Sequence, residues 1–146
     1  MAATPRLFQK ANGERLKFWD AVVGGRSVGV PGTPALMEAA HKKWGQKAWS
    51  DLFAEAIGLA ESGFSVSPRL AALVAADADR LGRFSGTAAY FFRDGKPLVE
   101  GSRLTNLEYA DVMRRMADEG ARVIYSGDIA QAIVDTVRGA KNNPGV

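Results

Sequence analysis

The sequence predicts a mainly α-helical protein with one short β-hairpin at most. Apolar residues recur at three- and four-residue spacing in five separate segments, as one face of an amphipathic helix requires. A glycine follows most of these segments, where it can end a helix. No regular alternation of strand and helix patterns is evident, so a βαβ architecture is not expected. The 47% apolar and 24% charged content is that of a globular protein.

Residues 1–32 are predicted to form an irregular, glycine-rich lead-in, and residues 33–82 to form three helices. Thr33 can cap the first helix, because the proline after it suits a first helical turn. The second helix covers residues 49–62, and Ser67, again followed by proline, begins the third. The apolar faces of the three helices comprise Leu36, Met37, Ala40 and Trp44; Leu52, Phe53, Ala56, Ile57 and Ala60; and Leu70, Leu73, Val74, Ala78 and Leu81.

Residues 83–104 break the helical rhythm, which predicts a turn or a hairpin there. Residues 88–92 are either a short strand or an apolar turn. The dipeptide Asp94-Gly95 that follows is typical of tight turns. If the apolar residues form a strand, Leu98 and Val99 pair back on it. The single hairpin is therefore expected near residues 88–99.

Residues 105–139 predict two further helices, and residues 140–146 an exit loop. Thr105, with a glutamate three residues later, matches a capping box, and Asp128 can cap the last helix. We therefore expect residues 1–146 to form a single helical domain. The apolar faces of the last two helices comprise Tyr109, Val112, Met113, Met116 and Ala117, and Ile129, Ile133, Val134 and Val137.

Charge and residue types argue against several classes of function. The formal net charge of +3 comes from scattered basic residues with acidic ones among them, so nucleic-acid binding is not expected. No apolar run reaches the roughly 18 residues needed to cross a bilayer, so membrane insertion is not expected either. With no cysteine and one histidine, we expect neither a disulfide nor a metal site. No polar constellation accompanies the aromatic residues, and no cofactor is expected.

The stretch Gly25-Arg26-Ser27-Val28-Gly29 matches the G-x-S-x-G pattern of a hydrolase nucleophile elbow. That site needs its serine on a strand-to-helix turn, followed in the chain by an acid and then a histidine. The single histidine is His41, and Glu38, on the same predicted helix, is too close to it for a triad. The spacing of Gly24 and Gly29 also suits a phosphate loop, but Val30-Pro31 stands where Lys-Ser/Thr is required. These glycines are expected to serve backbone turns.

The other titratable residues do not suggest a catalytic arrangement. His41 lies near the C-terminal end of a predicted helix, where the helix dipole favours a cation. Asp77 and Asp79 are two residues apart and therefore point to different sides of a helix. Glu108 and Asp111 form a pair on a predicted helix surface.

Four segments carry a resemblance to a known family: SVGVPGT, GFSVSPRLA, DGKPLVEGSRL and IYSGDIAQAIV. In order and spacing they resemble the large subunit of the gamma-glutamyltransferases, over nearly the whole chain. Members are N-terminal nucleophile hydrolases whose precursor cleaves itself into a large and a small subunit. The resemblance implies cleavage of the gamma-glutamyl amide of glutathione by the new N-terminal threonine of the small subunit, with water or an amino acceptor resolving the acyl-enzyme. It also implies a helical layer beside an αββα sandwich, and a periplasmic or secreted location.

The family residues that perform this chemistry have no counterpart in the chain. The nucleophile lies in a Thr-Thr-His type of signature, and Arg6 lies too late in the sequence to be the arginine that grips the substrate carboxylate. Gly24-Gly25 is not the oxyanion-hole pair, which belongs to the small subunit. We therefore expect no catalytic, substrate-binding, cofactor-binding or metal-binding residue. The Thr-Thr-His signature is absent because no threonine has a neighbouring threonine or histidine. The threonines of the chain are Thr4, Thr33, Thr87, Thr105 and Thr136.

The resemblance implies a middle portion of a gamma-glutamyltransferase large subunit that is catalytically silent alone. Its partners would be the remainder of the large subunit and the small subunit. A layer separated from its sheet exposes an apolar face, which predicts self-association or binding to that remainder. The alternative is a stand-alone helical module, derived from the enzyme, that binds a protein or a small ligand.

Overall fold

The computed structural model describes residues 4–141, and α-helices dominate it. In chain order these are α1 (Phe18–Val22), α2 (Gly32–Trp44), α3 (Ala54–Ser62), α4 (Pro68–Ala76), α5 (Ala78–Leu81), α6 (Ser85–Phe91), α7 (Leu107–Glu119) and α8 (Gly127–Arg138). The strands form two antiparallel pairs, β1 (Phe64–Ser65) with β4 (Arg103–Leu104) and β2 (Phe92–Arg93) with β3 (Lys96–Pro97). Single 3-10 turns cover Gly25–Ser27, Ser50–Leu52 and Ala121–Ile124. The predicted mainly α fold is confirmed.

The chain divides into two compact units. Unit 1 comprises Met1–Gln46 and Glu119–Val146, and it contains α1, α2 and α8. Unit 2 comprises Lys47–Asp118, and it contains α3 to α6, all four strands and nearly all of α7. The sequence patterns predict one domain. The division follows from tertiary contacts, which helical periodicity does not encode.

The predicted hairpin is present as β2 and β3, with Phe92 paired to Pro97. Its turn residues Asp94 and Gly95 both have positive φ, 50° and 73°, as a two-residue hairpin turn favours. The expectation of a strand or apolar turn over residues 88–91 was wrong, because these residues are the end of α6. The Arg93 guanidinium stabilises that helix end by donating to the carbonyls of Ala89 and Phe92, at 3.2 and 2.8 Å.

The pairing of β1 with β4 encloses the hydrophobic core of unit 2. Phe64 is opposite Leu104, and Val66 continues the ladder by donating its N–H to the carbonyl of Ser102 at 2.8 Å. The side chains of Val66, Leu98 and Leu104 are buried together. Leu70, Ala71, Tyr90 and Phe91 pack around them. The core thus joins α4, α6 and both strand pairs through side chains that lie far apart in the sequence.

Helix boundaries follow the sequence patterns in some places and depart from them in others. The Ser67 hydroxyl caps α4 as predicted, accepting from the Leu70 N–H at 3.2 Å. Thr33 is not a cap, since α2 begins one residue earlier. The predicted cap Asp128 likewise lies inside the first turn of α8. Thr105 does not cap α7 either. The capping residue is Asn106, whose Oδ1 accepts from the Tyr109 N–H at 2.8 Å because it stands immediately before the helix.

The lead-in predicted to be irregular contains α1 and the 3-10 turn Gly25–Ser27. Helix α1 has five residues, which is too short to generate a recognisable helical period. The Arg26 guanidinium donates to the Leu7 carbonyl at 3.1 Å and so ties the turn to the start of the lead-in. Nearby, hydrogen bonding with the Asn12 side chain, and then with Lys10, holds the pKa of Glu14 below its ordinary value.

In unit 1, α2 packs against the 3-10 turn Ala121–Ile124. The Tyr125 hydroxyl donates to the Pro31 carbonyl at 2.5 Å and accepts from the Ala35 N–H at 3.0 Å, so it fixes the start of α2. Farther along the helix, the Glu38 carboxylate lies against Gly120, where an added Cβ would overlap it. These contacts determine which face of α2 is turned inward.

None of the helices described between residues 4 and 141 combines the length and the apolar character that crossing a bilayer requires.

Candidate functional site

An open pocket of about 330 Å³ lies in unit 2. Helix α3 forms one wall, and β1, α6 and the start of α7 form the others. The volume falls within the range of about 300–1,000 Å³ that small-molecule sites occupy. The lining residues are Ala56, Leu59, Ala60, Phe64, Tyr90, Asn106 and Tyr109.

Asn106 is the polar centre of this pocket. Its backbone N–H donates to the Ala60 carbonyl at 2.8 Å, which ties the start of α7 to α3. Because its Oδ1 already accepts from the Tyr109 N–H, the amide oxygen is held by the helix. Tyr90 stands edge-on to Phe91, with ring centroids 4.7 Å apart. The lining includes no carboxylate, imidazole or lysine, so the pocket can bind an apolar or aromatic group but has no acid–base pair.

Ser27 is arranged as a structural residue rather than as a nucleophile. Its hydroxyl donates to the backbone carbonyls of Val22, at 2.5 Å, and Gly24, at 3.0 Å. It lies in a 3-10 turn that follows the short helix α1, whereas a nucleophile elbow joins a strand to a helix. The hydroxyl proton is therefore engaged by neighbouring backbone carbonyls and not by a general base.

His41 lies half-buried in the last turn of α2. Its imidazole lies against Gly45, where an added Cβ would overlap the ring. Glu38, the acid nearest to it in sequence, forms an ion pair with Lys42 at 3.2 Å. The side chain thus packs beside the glycine that follows the helix.

The predicted carboxylate pairs are not brought together as acid–base dyads. Asp77 accepts from Arg80 Nε at 3.0 Å at the junction of α4 and α5. Glu108 lies in the first turn of α7, on a helix surface, as does Asp111 one turn later. Among residues 4–141, no group of three or more His, Cys, Asp or Glu side chains is placed to hold a metal ion.

The structure shows which side chains of the apolar face predicted for α2 are exposed. Leu36, Met37 and Trp44 of α2 are 70%, 60% and 69% exposed. Ala40, the fourth residue of the predicted apolar face, is half-buried, as are Pro34, Glu38 and His41. Periodicity reported the apolar stripe correctly but could not show that the protein's own fold leaves it uncovered. The unit 2 pocket could not be predicted from the sequence either, because its walls come from four elements that only the tertiary fold brings together.

A family model described as gamma-glutamyltranspeptidase matches residues 1–145. The chain belongs to the gamma-glutamyltranspeptidase family. The glutathione hydrolase proenzyme of Bacillus subtilis is 36% identical to it over 138 residues, which are 93% of this chain and 23% of that protein. The acylase ACY 1 proenzyme of a Pseudomonas species is 37% identical over 114 residues, 78% of this chain and 20% of that protein.

A solved structure shares the architecture. The gamma-glutamyltranspeptidase of Helicobacter pylori superposes with a TM-score of 0.89 and 30% identity, covering 96% of this chain and 40% of that one. The helical arrangement of this family member is therefore that of one part of an N-terminal nucleophile hydrolase. The chain spans between a fifth and a quarter of the length of these curated relatives.

Proposed function

We propose that this chain is the helical layer of a gamma-glutamyltransferase large subunit. The complete enzyme would cleave the gamma-glutamyl amide of glutathione and transfer the gamma-glutamyl group to water or an amino acceptor. The partners of the layer are the remainder of the large subunit and the small subunit. The observation that carries this proposal is the match to the Helicobacter enzyme, which uses 96% of this chain but only 40% of the other.

A scaffolding role within that enzyme fits the relatives. Proteins named glutathione hydrolase and acylase share this part with similar identity, 36% and 37%. If both use the same helical layer, then the choice of substrate resides in other parts of the enzyme. The contacts of Ser27 support the same conclusion, since its hydroxyl donates to the backbone carbonyls of Val22 and Gly24 instead of being activated by a base.

The isolated chain is therefore proposed to be catalytically silent. Hydrolysis of a chromogenic gamma-glutamyl anilide would be measured with the wild-type chain, Ser27→Ala and His41→Ala. We expect no release above buffer from any of them. Release that survives purification and disappears with either substitution would overturn the scaffold proposal and assign chemistry to that residue.

A chimeric enzyme tests whether this chain supports activity in the complete protein. In it, this chain replaces the matching segment of the Bacillus subtilis glutathione hydrolase proenzyme, and the matched control is that proenzyme with the segment deleted. We expect the chimera to cleave itself and hydrolyse the anilide, and the deletion control to do neither. A soluble, folded chimera without activity would contradict the proposed function.

The pocket in unit 2 supports a second candidate, a module that binds an apolar or aromatic small ligand. Its apolar and aromatic walls with one side-chain amide are typical of small-molecule binding sites. A module adapted to act alone would be monomeric and melt in a sharp, cooperative transition. The enzyme layer would instead associate as its concentration rises, because its apolar surface is uncovered. Sedimentation of the purified chain across a concentration series separates the two.

A further inference from the structure

Helix α2 is inverted with respect to the usual arrangement of an amphipathic helix. Leu36, Met37 and Trp44, here called the outer stripe, lie on one face, since residues seven and eight apart return to the same side of a helix. All three are more than half exposed, whereas the Glu38 side chain on the inward face is 23% exposed. A helix normally turns its apolar stripe toward the core, so this orientation implies that another surface covers it.

The orientation of α2 is fixed by polar contacts within unit 1. The Tyr125 hydroxyl bonds to the Pro31 carbonyl and the Ala35 N–H at the start of the helix. One turn later, the Glu38 carboxylate occupies the space above Gly120, where a larger residue would overlap it. Rotating the outer stripe inward would break both contacts and carry the Glu38 carboxylate away from Gly120. The stripe is therefore held outward.

Charge at the end of the stripe argues against a second copy as its cover. Lys43 lies over the Trp44 ring, with Nζ 4.7 Å from the ring centroid. If two copies of α2 packed in parallel, Lys43 would face Lys43. If they packed antiparallel, it would face the start of the partner helix, which is the positive end of the helix dipole. Like charges are juxtaposed either way, which disfavours self-pairing.

We propose that the outer stripe docks against an apolar surface that carries a carboxylate opposite Lys43, in the part of the family's chain outside these 146 residues. This inference rests on the proposed function. The match leaves 60% of the Helicobacter chain uncovered, and that part of the enzyme would supply such a surface. Apolar contact with Leu36, Met37 and Trp44 gives the affinity. Lys43 sets the orientation of the docked surface, because its charge attracts a carboxylate and repels a second cation.

Cysteine labelling tests the proposal, because the chain has no cysteine of its own. Met37→Cys places a thiol in the outer stripe. Ala39→Cys is the matched control, an exposed position on another face of the same helix. In the isolated chain at low concentration, we expect both thiols to react with a maleimide at similar rates. Slow labelling of Met37→Cys alone would mean that the chain itself covers the stripe, and would overturn the proposal.

The same two variants are then labelled in the Bacillus chimera. The chimera that carries neither substitution is the blank. The rate for Met37→Cys is expected to fall at least about tenfold, since a covered thiol reacts only through local opening. The rate for Ala39→Cys is expected to stay within about twofold of its value in the isolated chain. An active chimera in which both thiols label equally fast overturns the docking proposal and leaves the proposed function intact. An inactive chimera with a protected Met37→Cys supports docking and contradicts the function.

A second measurement applies if the chimera is insoluble. The double variant Leu36→Gln/Met37→Gln is compared with the wild-type isolated chain by thermal melting. An uncovered stripe contributes nothing to internal packing, so the melting temperature is expected to stay within about 2 °C. A fall of several degrees would show that the stripe is packed inside the chain, which overturns the proposal.

Discussion

Units 1 and 2 bury their apolar side chains to different extents. Among the described residues, seven of the nine buried apolar residues belong to unit 2, and unit 1 contributes only Ala121 and Val123. The exposed large apolar residues show the opposite distribution. Those of unit 2 are Leu52, Leu59, Phe64, Leu73, Val99, Leu107 and Tyr109, and those of unit 1 are Phe8, Phe18, Trp19, Val22, Val28, Val30, Leu36, Met37, Trp44, Tyr125 and Val134.

This difference indicates two sources of stability within one chain. Unit 2 has a hydrophobic core of its own, reinforced where Trp49 Nε1 donates to the Met116 carbonyl at 2.7 Å and where Arg114 pairs with Glu61. Unit 1 is held mainly by side-chain contacts to the backbone, such as those of Arg26 and Tyr125. We therefore expect unit 2 to respond strongly to changes in its core. The stability of unit 1 should depend on single polar contacts and on the surface that covers its outer stripe.

The largest effect is expected at Leu104, which is 1% exposed at the centre of the unit 2 core. Leu104→Ala should lower the free energy of unfolding by about 2–5 kcal/mol, through lost burial and the cavity left behind. The matched control Leu36→Ala, in unit 1, removes the same atoms from a side chain that is 70% exposed, and it should cost about 0.5 kcal/mol or less. Urea unfolding measures both. Equal costs would mean that unit 1 packs a core around α2.

A backbone position in unit 2 should give the next largest effect. Gly63 has φ of +78°, and a Cβ there would lie 2.8 Å from Thr105 Cγ2 and 3.1 Å from the Leu104 carbonyl oxygen. Gly63→Ala should cost about 2–3 kcal/mol from left-handed strain and crowding together. Gly95→Ala is the control, since φ is +73° but no neighbour lies within 4 Å, so strain alone should cost about 1 kcal/mol. Indistinguishable costs in urea unfolding would contradict the close approach of β1 and β4.

The cap of α7 should give a smaller effect. Asn106→Ala removes the acceptor of the Tyr109 N–H and should cost about 1 kcal/mol. Glu108→Ala tests the capping box that the sequence suggested, and it should change the free energy of unfolding by less than about 0.5 kcal/mol. Chemical denaturation followed by circular dichroism measures the two variants. A larger cost for Glu108→Ala would restore the capping box centred on Thr105.

Local features of this fold could be predicted from the sequence because neighbouring residues determine them. The cap at Ser67 and the turn at Asp94-Gly95 each depend on residues within one turn of chain, and both are present. The pairing of β1 with β4 could not be predicted, because each strand has two residues and nearly forty residues separate them. Such short strands have no alternation to recognise, and their pairing is decided by the core that they enclose.

The functional surfaces were harder to predict for the same physical reason. The periodicity of α2 revealed an apolar face, but what covers a face depends on tertiary contacts and, here, on a surface outside the chain. The pocket combines Phe64, Tyr90 and Asn106, each an ordinary residue in its own segment. Only the resemblance to the family indicated that such surfaces would be left open.

An effect comparable to that of the α7 cap is expected at Tyr125, and it bears directly on how unit 1 is stabilised. Tyr125→Phe keeps the ring but removes the hydroxyl that bridges the Pro31 carbonyl and the Ala35 N–H, so unit 1 should lose about 0.5–1.5 kcal/mol. Hydrogen exchange at the Ala35 amide reports this loss locally, and the rate should rise about fivefold for a cost of 1 kcal/mol. Tyr109→Phe in unit 2 is the matched control, and it should leave exchange at Ala35 unchanged. If Tyr125→Phe leaves that exchange rate unchanged as well, the start of α2 is held by packing, and unit 1 would not differ from unit 2 as described.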